Sequence, residues 1–112
     1  MSNSYNLERL EELAGGDESF IQEMIDIFLK GVDDNIKAFQ ELYEENKLEE
    51  IGALAHKVKP TIDLLGINAI HQEIRDLRIE ADQGDSNDKV FELIKKVNAH
   101  LAIAADELRN RP

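Results

Sequence analysis

The stretch Leu54-Ala55-His56-Lys57-Val58-Lys59-Pro60-Thr61-Ile62-Asp63-Leu64-Leu65-Gly66 decides how this chain is put together. If the helix broke at Pro60, Lys59 would have to cap a new one, and a lysine side chain cannot accept from the free N–H groups there. As a single helix, its apolar residues keep phase. With Val58 at the centre and about 100° per residue, Ile51, Leu54, Ala55, Ile62 and Leu65 fall within about 60° of it. One continuous, bent helix is therefore expected. In it Pro60 leaves the His56 carbonyl without an amide donor, a defect of about 3 kcal/mol in an ordinary helix interior. His56 itself lies about 160° from Val58, on the wet side, with Gly52, Ala53, Pro60 and Asp63 around it.

Outward from this stretch the period stays helical, and no segment alternates as a strand would. Asn6 is the expected cap of a short helix through about Leu13, with Leu7, Leu10 and Leu13 on one side and Gly15-Gly16 as its stop. Asp17 should cap a long helix to about Glu45, whose inner face carries Phe20, Ile21, Met24, Ile25, Phe28, Val32, Ile36, Phe39 and Leu42. Asn46-Lys47 turns the chain into the third helix, from Leu48 to Leu65, and Gly66 ends it. Asn68 is the expected cap of a fourth helix burying Ile70, Ile74, Leu77 and Ala81. A polar turn over Gln83-Gly84-Asp85-Ser86-Asn87-Asp88 leads to a last helix, through Leu108, with Phe91, Ile94, Val97, Leu101, Ala104 and Leu108 in phase. Loops this short make consecutive long helices antiparallel. The expectation is one all-α domain over residues 1–112, an up-down-up-down four-helix bundle with a short N-terminal helix packed against it.

The 112 residues are 42% hydrophobic and 33% charged, the balance of a soluble globular domain. No apolar run approaches the roughly 18 residues of a membrane span, and the start, Met-Ser-Asn-Ser-Tyr-Asn, lacks the pattern of a secretory signal. The absence of cysteine removes thiol chemistry and the usual zinc ligands. Together these features point to the cytoplasm. A net charge of −11 disfavours nucleic acid, which needs a basic face, and suits protein partners.

Folding the antiparallel helices back on one another estimates what shares a level with His56. Asn35 comes opposite it on the second helix, and Arg75 and Arg78 flank that level on the fourth. With Lys57 and Lys59 these arginines would form a small basic island beside an exposed nucleophile, which suits a phosphoryl group. Simple pairing with the abundant carboxylates explains the same cations equally well. Gly31 falls near Thr61, where either a partner's approach or helix–helix proximity would account for a glycine inside a helix. His71 and His100 lack such surroundings and read as ordinary surface residues.

His56-x-x-Lys59, with Ala55 before it and Leu65-Gly66 after it, resembles the signature of histidine-containing phosphotransfer domains. In that family the histidine is followed by a hydrophobic residue, a lysine, usually a glycine, small polar residues and Leu-Gly. Here those places hold Val58, Lys59, Pro60, Thr61, Leu65 and Gly66, so proline stands where glycine is usual. The segment from Ile27-Phe28-Leu29 to Leu48-Glu49-Glu50-Ile51 is similar to the family's helix pair, and the likeness covers roughly residues 17 to 84. The resemblance implies a phosphorelay intermediate without its own ATP site. His56 would accept a phosphoryl group from a receiver-domain aspartate, through Nε2 as the family does, and pass it to another receiver. Lys59 would offset charge on the phosphoryl oxygens, with Lys57, Arg75, Arg78 and Asn35 in support. Gly31, Val32, Gly52, Ala53, Pro60, Asp63 and Leu64 would form the docking surface, and Gly66 would be structural. The implied partners are the receivers of a hybrid sensor kinase and of a response regulator, with no nucleic acid and no membrane insertion. The chain itself is expected to be a monomer and a separate protein. It needs no cofactor or metal of its own, Mg²⁺ belonging to the receiver.

Two other classes compete. A helical bundle that docks receivers or kinases without accepting phosphate would share every feature but the chemistry. A di-metal bundle enzyme needs Glu-x-x-His pairs, and the residues three before His56, His71 and His100 are Ala53, Asn68 and Val97.

Overall fold

The computed structural model describes residues 4–83 and 87–111. Five α-helices follow in order: α1 Glu8–Ala14, α2 Glu18–Glu44, α3 Leu48–Leu64, α4 His71–Gln83 and α5 Asn87–Arg109. A 3-10 turn over Asn68–Ile70 leads into α4. No strand occurs among the described residues. The tip of the expected polar turn, Gly84 to Ser86, lies outside them.

Local chemistry explains most boundaries. Asp17 accepts from the amides of Ser19 and Phe20 at 3.0 and 3.2 Å, satisfying two of the free donors at the start of α2. The ends of α2 and α3 close in the same way. Asn46 at φ 58° and Gly66 at φ 61° take the left-handed conformation. The next amide then bonds back into the last turn, Lys47 to Leu42 at 2.8 Å and Ile67 to Ile62 at 3.0 Å. α3 runs unbroken through Pro60, as its apolar phase requires. Two caps differ from expectation. Asn6 does bond the Glu8 amide, at 2.9 Å, but the residue in the cap position is Leu7. Asn68 caps no α-helix, because the sharp exit from Gly66 is absorbed by a 3-10 turn before α4 starts at His71.

α3 packs along α4, α4 along α5, α5 along α2 and α2 along α3, with α1 against α2. The core they enclose holds Ile25, Val32, Phe39, Ile51, Ile62, Leu65, Ile70, Leu77, Val97 and Leu101. No polar or charged side chain is buried among the described residues. Of the residues in phase with apolar stripes, Met24, Ile36, Leu42 and Leu54 are half-buried, and three are exposed: Leu13 is 66%, Phe91 41% and Phe20 38% exposed. Phe20 lies in the first turn of α2 and Leu13 in the last turn of α1. Phe91 instead stacks against Tyr43, ring centres 5.1 Å apart, under the ammonium of Lys95.

One contact sets the position of α1. The amide of Asn6 donates to the carbonyl of Leu65 at 3.0 Å, and a Cβ on Gly66 would lie 2.8 and 2.9 Å from the Cβ and nitrogen of Asn6. Leu7 and Leu10 are buried beneath this clasp. The glycine that ends α3 is therefore also the seat of α1.

Candidate functional site

His56 is exposed on α3, two turns before the end of that helix, where the alternation of inner and outer faces turns it from the core. It opens onto a groove of about 490 Å³. α3 lines this groove with His56, Lys59, Pro60, Asp63 and Leu64, α4 with Arg78, and α1 with Arg9 and Leu13. The groove thus joins an imidazole, three cations and one carboxylate to an apolar rim.

The carboxylate is the best-connected group in it. Lys59 Nζ donates to Asp63 Oδ2 at 2.7 Å, one helical turn on, and His71 Nδ1 lies 2.7 Å from Asp63 Oδ1. An ionised carboxylate only accepts, so the His71 proton of that bond sits on Nδ1. Burial pushes the Asp63 carboxyl up. The hydrogen bonds from Lys59 and His71, with their charges, outweigh that and hold it below the ordinary carboxylate value. Asp63 is 21% exposed and Lys59 32%, so the pair is shielded rather than a loose surface contact. Lys59 is consequently engaged already, and an anion reaching it from the groove must share its ammonium with Asp63.

The expected basic island is divided. Arg78 and Lys59 line the groove at His56, whereas Arg75, though exposed, does not. Lys57 lies on the other flank of α3, in a separate cavity of about 260 Å³ with Ile27, Gly31, Asn35 and Thr61. The predicted proximity of Gly31 to Thr61 is present. A Cβ on Gly31 would meet nothing closer than Asn35 Nδ2 at 4.0 Å, so no helix presses there.

Two expected docking residues are corrected. Gly52 is buried against α4, where an added Cβ would come within 2.7 Å of Asp82 Oδ1 and 3.5 Å of the Ala81 Cβ. α3 packs against α2 and α4 together, so its buried arc is wider than the stripe centred on Val58. Val32 is 1% exposed and belongs to the core. Ala53 and Pro60 are exposed and Asp63 and Leu64 half-buried, and all but Ala53 line the groove. His71, read from the sequence as ordinary, is instead the second partner of Asp63, while His100 is half-buried on α5 and lines no groove with His56. Leu13 reads from the sequence as part of the apolar side of the first helix, and Arg9 carries no signal there beyond its spacing of four from Leu13.

No protein-family model, curated protein or solved structure matches this chain. Among the described residues, no helix is long and apolar enough to cross a membrane.

Proposed function

We propose that the protein is a phosphorelay intermediate of the histidine-containing phosphotransfer type. It would take a phosphoryl group on His56 from a receiver-domain aspartate and deliver it to a second receiver. The observation that carries this reading is the exposed imidazole in mid-helix at the mouth of a groove bearing Arg9, Lys59 and Arg78, on a chain of net charge −11. In the transfer, a ring nitrogen lone pair attacks phosphorus and a P–N bond forms. The P–O bond to the receiver aspartate breaks and its electron pair stays on the carboxylate. The proton on the other ring nitrogen remains in place. Positioning and charge stabilisation dominate such reactions, and an exposed site leaves the Mg²⁺ and much of both to the receiver.

The closed cycle of contacts α2–α3–α4–α5 supports a four-helix bundle with α1 added to it. The pairing of α2 with α5 supports an antiparallel arrangement of these two helices. Asn98 donates to the Ile36 carbonyl, whereas Arg111, beyond α5, reaches back to Glu18 and Gln22. Fold alone hosts many functions, so the reading rests on the site.

The test is transfer from a phosphorylated receiver with Mg²⁺. Acid-labile, base-stable label should appear on the wild type and be lost in His56→Gln. It should persist in His71→Gln and His100→Gln. Full labelling of His56→Gln would end this assignment, and receiver binding without any transfer would favour a docking bundle.

A further inference from the structure

We propose that Arg9, on the short N-terminal helix, contacts the phosphoryl oxygens on His56, so that α1 is part of the reacting site rather than only a cover for the core. The inference rests on phosphoryl acceptance at His56 and adds to it a residue on an element outside the helices that carry the motif.

Three observations lead there. Arg9 lines the same groove as His56 and Arg78 of α4. Among the described residues the guanidinium groups of Arg9 and Arg78 have no ion-pair or hydrogen-bond partner, whereas the Lys59 ammonium is held by Asp63 at 2.7 Å. In a chain with 24 acidic and 13 basic residues, two unpaired arginines facing one groove are not the result of a shortage of carboxylates. The third observation is that α1 is fixed. The Asn6 amide is bonded to Leu65, Leu7 and Leu10 are buried, and the Ser4 amide donates to Glu107 at 2.8 Å.

A guanidinium suits this place chemically. It is always charged, and its planar fork matches two oxygens of a phosphoryl group at once. When the group arrives, Arg9 and Arg78 can meet it at no cost in broken ion pairs. Lys59 has to share its ammonium with Asp63. The residue the motif singles out is therefore the most encumbered cation in the groove, and the two arginines are the ready ones.

The experiment is transfer from a phosphorylated receiver to wild type and to Arg9→Ala, Arg9→Lys and Arg9→Glu, with urea unfolding of each. Arg9 is exposed, so the unfolding midpoints should coincide. Arg9→Ala should slow labelling of His56 roughly tenfold, the size of one charge-assisted contact, with Arg9→Glu slower still and Arg9→Lys intermediate. In the wild type, the Arg9 side-chain Nε–H resonance should move when His56 becomes phosphorylated and return on back-transfer. Wild-type rates in Arg9→Glu, or an unmoved resonance, would overturn the role of Arg9 while leaving His56 as the acceptor. A wild type that takes up no label would remove both.

Discussion

The Asn6 amide and the Leu65 carbonyl meet at 3.0 Å, and this bond joins the first helix to the end of the helix that carries His56. Gly66 makes the meeting possible twice over, by its left-handed φ of 61° and by having no side chain where Asn6 lies. Gly66→Ala must accept a strained backbone and push Asn6 away. The expected loss is on the order of 2–3 kcal/mol, seen as a lower urea midpoint. An unchanged midpoint would mean that Asn6 does not sit on this glycine in solution.

Asp63 ties acid sensitivity to the groove. Its folded-state carboxyl titrates below the ordinary value of 3.8, through its bonds to Lys59 and His71. Above 3.8 it is ionised in both folded and unfolded chains, and its stabilising contribution is fully present. As pH falls through 3.8 towards the lower folded value, the unfolded chain binds the proton first and the contribution drains away. Asp63→Asn should therefore have a lower unfolding midpoint at pH 6, and the gap to wild type should narrow as pH falls below 3.8. A gap that stays the same on acidification through 3.8 would contradict the pairing.

Gly52 separates packing from docking. Its nearest obstacle is the carboxylate end of Asp82, which can swing aside, so Gly52→Ala should lie within about 1 kcal/mol of wild type. Gly52→Leu would drive a branched side chain into Ala81 and the Arg78 backbone and should cost about 1–3 kcal/mol. Equal stability of all three proteins would put Gly52 on the surface after all.

Pro60 interrupts the hydrogen bonding of a helix that otherwise continues through it. Pro60→Ala restores an amide able to reach the His56 carbonyl, and stability should rise by about 1–3 kcal/mol. Denaturation in urea measures it directly. A variant no more stable than wild type would show that the carbonyl is already well satisfied by water.

What could be read from the residues depended on how far the deciding contact reached. Asp17, Gly15 and Gly66, in its role of ending α3, act within a few positions of themselves, and the start of α2 and the ends of α1 and α3 were legible accordingly. His56 on the outer face and the passage of α3 through Pro60 followed from helical phase alone. Gly52 did not, because its burial depends on where α4 lies, and α4 is brought there by a turn that phase does not describe. Lys59 and Asp63 are four apart and could be paired on paper. The second bond, from His71, crosses the turn at Gly66 and needs its geometry. Arg9 was least visible of all: its place beside His56 is fixed by Asn6 seated on Gly66, a contact between residues 60 positions apart.

The bonds from Asn6 to Leu65 and from Ser4 to Glu107 also make α1 dependent on distant parts of the fold. The seven residues of α1 are too few to hold a helix alone. One anchor lies at the end of α3 and the other in the final turn of α5. The α1 wall of the groove therefore draws on two elements that do not follow it directly in sequence. Loosening Glu107, on a helix that contributes nothing to the groove lining, would leave Arg9 held by the α3 anchor alone, so reactivity at His56 would register damage at the far side of the fold.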